Sequence, residues 1–204
     1  MIIDNVFPMP FAVDRLDINQ EDFNFILNYI SDINNLKQNG LGNLTTLSGC
    51  FLENTPNLKK QIESSLKEFT DKTINEVDEL VITQSWINVN PPGTCHDTHA
   101  HRNSILSGVF YIQTDYNSGK FNIVRPEGNY TSTVVRGKIN DYNEFNYEYM
   151  FYLPRPNDLF LFPSKLPHSV DENKSDIYRI SLSFNTFYKV PFGDLDSKAG
   201  VIFP

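Results

Sequence analysis

The chain has 204 residues, of which 40% are apolar and 21% charged, so it can bury a core and is neither disordered nor collagen-like in composition. Its formal net charge of −8 argues against sequence-independent binding of nucleic acid, and no stretch approaches the roughly 18 apolar residues of a membrane span. The N-terminus has no secretory-signal pattern and the two cysteines cannot make a disulfide framework, so we expect a cytoplasmic protein.

Residues 1–79 carry two helical patterns. In the first, Asn19 or Asp17 is placed to cap a helix whose apolar positions are Phe23, Ile26, Leu27, Ile30 and Ile33. In the second, Thr55 is the expected N-cap and Pro56 the first helical residue, followed by apolar positions at Leu58, Ile62, Leu66 and Phe69. Both stripes predict amphipathic helices that pack against a sheet and form an N-terminal support region.

From Leu80 onward the hydrophobic period changes from about 3.6 to 2. Strand-like runs, separated by Gly, Pro, Asn and Asp, cover residues 80–90, 107–113, 120–124, 131–135, 146–153, 158–162, 168–170 and 177–185. The 16 Phe and 10 Tyr suit a pleated surface. The pattern predicts one mainly β domain over residues 1–204, with an antiparallel sandwich or jelly-roll core at 80–188 and a loosely attached tail at 189–204.

Three of the four histidines lie within six residues, at His96, His99 and His101, and the fourth is His168. In an extended strand His99 and His101 point to the same face, because side chains alternate with period 2. With His168 from a distant strand they would form a facial set of metal ligands with open positions. Asp97 shares their parity, whereas His96 has the opposite parity and is expected behind the ligands or at the surface.

The segment around His168 and Arg179 suggests a hairpin. With Glu172–Ser175 as its loop, antiparallel pairing sets Arg179 directly opposite His168, where Cβ atoms are roughly 4.5 to 5.5 Å apart. The last strand then has an apolar face and a polar face, the polar one formed by Arg179, Ser181, Ser183 and Asn185. If that face lines the interior, the guanidinium needs an anionic partner, for which a carboxylate is well suited.

Residues 85–185 resemble the superfamily of 2-oxoglutarate- and Fe(II)-dependent oxygenases. The resemblance rests on motifs that keep their order and spacing, at Ser85–Asn88, His99–His101, Ser107–Tyr111, Phe162–Val170 and Arg179–Asn185. It implies a double-stranded β-helix in which protein side chains hold Fe(II) and 2-oxoglutarate chelates the metal.

The resemblance also implies roles for individual residues. His99, His101 and His168 would be the metal ligands and the catalytic centre. The usual second ligand, a carboxylate two positions after the first histidine, is replaced by His101, so Asp97 as a ligand and a His99/His168 pair with an open position are the alternatives. The distal carboxylate of 2-oxoglutarate would be held by Arg179 and Ser181, with Tyr111 beside them. Trp86 and Asn88 share strand parity before the ligands and could contact substrate.

The function implied is a dioxygenase that uses Fe(II), O₂ and 2-oxoglutarate to hydroxylate a small molecule or a protein side chain, prolyl included. Two alternatives keep the same architecture: a three-histidine cupin-type dioxygenase that does not use 2-oxoglutarate, and a non-catalytic metal-binding jelly roll. The sequence leaves the oligomeric state open, a homodimer included.

Overall fold

A computed structural model describes residues 1–40, 42–76, 78–126 and 138–193. The helices are α1 (Gln20–Ser31) and α2 (Pro56–Thr73), with short 3₁₀ turns at Ile33–Asn35 and Phe51–Asn54. The strands are β1 (Ala12–Arg15), β2 (Leu36–Asn39), β3 (Asn43–Thr46), β4 (Leu80–Asn90), β5 (His96–His99), β6 (Leu106–Gln113), β7 (Phe121–Val124), β8 (Tyr149–Tyr152), β9 (Asp158–Pro163), β10 (His168–Val170) and β11 (Arg179–Tyr188).

The described strands form two antiparallel sheets. The larger has the order β1-β9-β6-β11-β4-β3-β2 and the smaller the order β5-β10-β7-β8. Consecutive strands such as β9 and β10, or β10 and β11, lie in different sheets, so the chain winds between the two layers. This arrangement is a double-stranded β-helix, which confirms the fold expected from the sequence.

The alternation of side chains along the central strands divides the core into two parts. On β9, Leu159 and Leu161 belong to the cluster that also contains the apolar residues of the helices, whereas Phe160 and Phe162 belong to the cluster inside the double sheet. On β6, Phe110 packs with the helical cluster and Tyr111 with the inner one. Burying each of these side chains contributes about 1.5 to 3 kcal/mol, so the two helices hold the larger sheet firmly from one side.

The two helices are joined by a buried carboxylate. Asn19 caps α1 by accepting a hydrogen bond from Asp22 N (2.8 Å), as its sequence position predicts. Thr55 occupies the N-cap position of α2, but its side chain makes no capping hydrogen bond. The N–H of Leu58 instead donates to Asp22 Oδ2 at 2.7 Å. A residue of α1 therefore caps α2, and this explains why a 2% exposed aspartate is tolerated there.

The N-terminal region contributes more than helices. Within residues 1–79, β1 pairs with β9 and β3 pairs with β4, so this region also extends the larger sheet at both sides. The run expected as a strand at 131–135, and the tail beyond residue 193, lie outside the described residues. Among the helices of the described residues, none is both long and apolar enough to cross a membrane. Cys50 and Cys95 are both free.

Candidate active site

A cavity of about 110 Å³ lies between the two sheets and is lined by strands of both. The larger sheet supplies residues of β4, β6 and β11, and the smaller sheet supplies residues of β5, β7 and β10. All four histidines and Arg179 line this cavity. The residues that the sequence analysis singled out separately are thus brought to one place by the two-layer fold.

The ring nitrogens of His99, His101 and His168 converge at one end of the cavity. One nitrogen from each ring lies within 4.8 Å of those of the other two, close enough for a shared metal ion. His99 and His168 are direct cross-strand partners in the β5–β10 pair, and their ring centroids are 4.4 Å apart. His101 follows the end of β5, where its main-chain N–H donates to Ser164 O at 2.9 Å.

Each of the three rings has its Nδ1 beside an oxygen atom. His99 Nδ1 is 2.7 Å from Asp97 O, and His168 Nδ1 is 2.8 Å from Leu166 O. His101 Nδ1 is 2.5 Å from the side-chain oxygen of Asn185. Because carbonyl oxygens only accept hydrogen bonds, each Nδ1 carries the proton and each Nε2 keeps its lone pair. This is the tautomer that histidine ligands adopt when a neighbouring group orients the ring.

The surroundings of His168 hold it neutral. Its ring stacks on Phe121 and meets Phe162 edge-on, with centroids 5.3 and 4.7 Å away. Burial lowers the pKa of His168 from 6.5 to about 3, and burial also lowers the pKa of His101. Neutral imidazole is the form that binds a metal ion, so protons would compete only weakly with a metal ion at these two histidines.

These pKa values predict how stability depends on pH. Between about pH 6.5 and 3 the unfolded chain binds a proton at His168 that the folded chain does not, and the lowered pKa of His101 acts in the same direction. The free energy of unfolding of the metal-free protein should therefore fall as pH decreases through this window, by up to about 1.4 kcal/mol per pH unit for a fully shifted group. Urea unfolding between about pH 6.5 and 5, where carboxylates scarcely titrate, measures this dependence of the free energy of unfolding on pH. His168→Gln should reduce the slope, and an unchanged slope would contradict the assignment.

The first histidines bear on one choice of ligand that stays open and on one expectation that was wrong. The cluster of convergent ligand atoms in the described residues contains no carboxylate, and Asp97 contributes its main-chain oxygen to His99 rather than its side chain to the cavity. His96 was expected behind the ligands or at the surface, yet it lines the cavity. The reason is a β-bulge: between the pairs His168–His99 and Val170–His96, β5 has two residues opposite one of β10. The extra residue reverses the parity on which the expectation rested.

Arg179 also lines the cavity and is 1% exposed. Its Nη1 donates to Ser118 O and to Asp171 O, the latter at 3.0 Å, while its Nη2 is buried without a partner. Among the described residues no carboxylate forms an ion pair with it. Burial accordingly lowers the pKa of Arg179 from its ordinary value. A buried guanidinium with a free N–H edge is a site for an anion from outside the chain.

The guanidinium depends on Gly119 for space. Gly119 has a φ of +94°, and a Cβ there would lie 2.9 Å from Arg179 Nη1 and 2.5 Å from Asp171 O. The turn therefore requires glycine for its backbone conformation and for its size. Sequence inspection did not single out this glycine, and the only available signal was its place in a turn before a short strand.

The predicted hairpin between β10 and β11 is wrong. His168 pairs with Ile123 and His99 in the smaller sheet, and Arg179 pairs with Asn90 in the larger one. The connecting segment crosses between the sheets, and its hydrogen bonds go to neighbouring loops. Asn173 N donates to Thr94 O, and Lys174 N donates to Asn117 O.

The side chain of Asn173, fully buried, donates to Asn90 O and Ile177 O. Asn90 is distant in sequence, so a local turn pattern could not reveal this contact. Arg179 thus reaches the cavity from the sheet opposite His168.

Three of the four residues on the polar face of β11 line the cavity, namely Arg179, Ser181 and Ser183. Ser181 pairs with Asn88 on one side and Tyr111 on the other, and Ser183 pairs with Trp86. Asn88 Nδ2 donates to Ser183 Oγ at 3.0 Å. Tyr111 is 1% exposed, and burial raises its pKa well above its ordinary value, so it stays protonated and able to donate.

Asn90 is a cavity residue that the sequence analysis missed. Its Nδ2 donates to Asn43 Oδ1 at 2.5 Å and lies 2.9 Å from His96 Nε2, while its Oδ1 is buried without a partner. Burial lowers the pKa of His96 to about 4. Asn90 shares strand parity with Trp86 and Asn88, and that parity was the signal that could have identified it.

Comparisons with known proteins agree with this geometry. A model of the family described as "Putative 2OG-Fe(II) oxygenase" matches residues 84–185, which is half of the chain. No curated protein matches the sequence significantly. A prolyl-4-hydroxylase structure from Pseudomonas putida shares 12% identity and a TM-score of 0.59, covering 88% of this chain and 94% of its own.

Two further structures show the same fold. HygX from Streptomyces hygroscopicus, solved with nickel, 2-oxoglutarate and hygromycin B, has 10% identity and a TM-score of 0.59 over 87% of this chain and 82% of its own. A prolyl hydroxylase from Trichoplax adhaerens, solved with a peptide fragment of the hypoxia inducible factor oxygen degradation domain, has 13% identity and a TM-score of 0.58 over 87% and 83%. At such identities the likeness establishes the fold alone. The family match spans the strands that carry the histidines and Arg179, and by that match the chain belongs to the 2OG-Fe(II) oxygenase family.

Proposed function

We propose that this protein is a dioxygenase that uses Fe(II), O₂ and 2-oxoglutarate to hydroxylate a C–H bond of a small molecule or a protein side chain. The observation that carries the proposal is the presence, in one cavity, of three convergent imidazoles and a buried arginine whose Nη2 has no partner. Family membership supports the same reaction class.

The residues present fit a bound Fe(II) ion. His99, His101 and His168 each offer an Nε2 lone pair, and imidazole is a suitable ligand for Fe(II). Three neutral ligands leave the charge of the ion uncompensated by the protein, one unit more positive than with a carboxylate in the set. The carboxylate at the chelating end of 2-oxoglutarate would supply one negative charge beside the ion, so the ligand set favours binding of the metal and 2-oxoglutarate together.

The residues also fit 2-oxoglutarate. Arg179 offers the free N–H edge that a carboxylate requires, and the planar guanidinium suits this geometry. We assign Ser181 and Tyr111 to the same carboxylate, because Ser181 lies two residues after Arg179 on the same face of β11 and Tyr111 is its cross-strand partner on β6. Tyr111 would act as a hydrogen-bond donor, since its raised pKa keeps the phenol protonated.

The remaining residues of the cavity would bind and orient the substrate and keep the reaction away from bulk water. Bound Fe(II) with 2-oxoglutarate supplies the activation of O₂ and the oxidising power for attack on a C–H bond. Phe121, Phe162 and Val109 line the cavity with apolar surface that excludes bulk water. The chain thereby limits escape of oxidant while leaving one side of the histidine centre accessible.

We place the substrate on the side of Trp86 and Asn39. These two residues line both the cavity and a neighbouring open cleft of about 320 Å³. Most residues that line the cleft have polar side chains, Lys37, Gln84 and Ser48 among them. Trp86 and Asn88 are therefore candidate substrate contacts. Because two of the structural neighbours are prolyl hydroxylases, prolyl peptides are included with small polar molecules among the candidate substrates.

The test is reconstitution of the protein with Fe(II) in the absence of oxygen. Addition of 2-oxoglutarate should produce a metal-to-co-substrate charge-transfer absorption that needs both components. Admission of O₂ should then yield succinate and CO₂ in equal amounts, and a true substrate should increase the succinate yield and gain one oxygen atom. Iron binding without that absorption and without succinate would favour a three-histidine dioxygenase that does not use 2-oxoglutarate. Metal binding without any O₂ consumption, with or without candidate substrates, would favour the non-catalytic module.

A further inference from the structure

His101 differs from the other two histidines in the group that holds its ring. The Nδ1 atoms of His99 and His168 face main-chain carbonyls two residues away in the sequence. His101 Nδ1 instead faces the side chain of Asn185, which comes from β11 in the opposite sheet, and also lies 3.1 Å from Ser107 Oγ. His101 also lies beyond the last residue of β5, so the strand itself does not fix its direction.

The amide of Asn185 is held on both sides. Its Oδ1 accepts from His101 Nδ1 at 2.5 Å and from the hydroxyl of Ser107 at 2.8 Å. Its Nδ2 donates to Gln84 Oε1 at 3.1 Å, which orients the oxygen toward the histidine. Asn185 is 7% exposed and Ser107 is fully buried, so water cannot readily replace these contacts.

A chain of hydroxyls continues behind Ser107. Ser107 Oγ is 2.8 Å from Ser164 Oγ, which is 2.7 Å from Ser104 Oγ. Ser164 also accepts the main-chain N–H of His101 through its carbonyl. The network therefore fixes both the backbone and the ring of His101, using residues of three separate strands and loops.

We propose that Asn185 is a positioning residue for the metal centre, which keeps His101 in the Nδ1–H tautomer with Nε2 directed to the metal. The inference rests on the metal site of the proposed function. The inference adds Asn185, which is not itself a ligand. Its loss would weaken metal binding because the ring of His101 would no longer be held in place. An amide in this position orients the ring without adding negative charge, which keeps the three-histidine centre as positive as its ligands allow.

The experiment measures the affinity of metal-free protein for Ni(II) by isothermal titration calorimetry. Asn185→Ala should weaken binding by about 10- to 100-fold, the range found when partners of metal-binding histidines are removed. Asn185→Asp retains an oxygen acceptor for His101 Nδ1, so it should restore affinity to within about threefold of the unchanged protein or above it. This rescue separates ring orientation from general packing.

Thr186→Val is the matched control. Thr186 is the next residue of β11, is fully buried, and makes two side-chain hydrogen bonds to Leu106, at 3.0 and 2.9 Å. Loss of the Thr186 hydroxyl should lower the melting temperature. It should leave Ni(II) affinity unchanged, because this hydroxyl does not contact a histidine ring.

The proposal is overturned if folded Asn185→Ala binds Ni(II) as tightly as the unchanged protein, or if Thr186→Val weakens binding equally. It is also overturned if Asn185→Asp gives no rescue. If the unchanged protein does not bind Ni(II), the metal centre itself is refuted. If binding depends on Asn185 but 2-oxoglutarate is never consumed, the proposed function fails while the positioning role stands.

Discussion

Replacement of His99 by alanine is expected to abolish turnover and to weaken metal binding by more than about 100-fold, beyond the loss caused by removing an outer partner of a ligand. His99 is the best of the three histidines for this test because it is the exposed member of the cluster. Its truncation removes a ligand atom without opening a cavity in the core. Anaerobic reconstitution followed by determination of bound iron, with Ni(II) titration as a second measure, would record the loss.

Asp97→Ala is the control for this experiment and decides between two ligand sets. Asp97 is exposed, lies two residues from His99, and has no side-chain atom in the convergent group. The variant should therefore bind metal as tightly as the unchanged protein. A loss comparable to that of His99→Ala would make Asp97 a ligand. Full affinity in His99→Ala would instead mean that the metal lies elsewhere.

The parts of the fold that depend on local periodicity could be predicted from the sequence. The period-2 run at 80–90 matches β4, and the stripe Leu58, Ile62, Leu66 and Phe69 is the buried face of α2. The polar face of β11 was also predictable, because alternation places Arg179, Ser181 and Ser183 on one side of a strand whatever its partners are. All three line the cavity.

The parts that depend on pairing between distant segments could not be predicted in the same way. In the sequence, the segment that joins β10 and β11 resembled a four-residue hairpin loop. In the structure the crossing is stabilised by Asn173, whose side chain donates to Asn90 O at the end of β4 and whose main-chain N–H donates to Thr94 O. The place of His96 depends on a bulge in β5 that has no mark in the sequence. A single extra residue in a strand reverses every parity argument beyond it.

The two-layer arrangement has a functional consequence that a hairpin would not have. His99 and His168 belong to the smaller sheet, whereas Arg179 and Asn185 belong to the larger one. Co-substrate bound between the metal and Arg179 would therefore bridge the two sheets. His101, a proposed metal ligand, already contacts the larger sheet through Asn185 in the absence of any ligand.

Replacement of Arg179 by methionine should remove co-substrate binding while leaving the metal in place. Loss of the cationic partner of a buried carboxylate costs about 2 to 5 kcal/mol, so affinity for 2-oxoglutarate should fall at least about 30-fold. Arg179→Lys keeps a charge but lacks the second nitrogen of the planar fork, so an intermediate loss is expected. The measurement is an anaerobic titration of the iron-loaded protein, monitored by the charge-transfer absorption.

The stability of the same variant provides an independent check. In the metal-free protein Arg179 is a buried cation without an anionic partner, and replacing such a charge by an apolar side chain removes its desolvation cost. That gain should offset the lost hydrogen bonds to Ser118 O and Asp171 O, so the melting temperature should change little. Arg155→Met makes the same change of charge at an exposed residue. It should alter neither the affinity for 2-oxoglutarate nor the melting temperature. Unchanged affinity for 2-oxoglutarate in a folded Arg179→Met protein would show that the co-substrate carboxylate binds elsewhere.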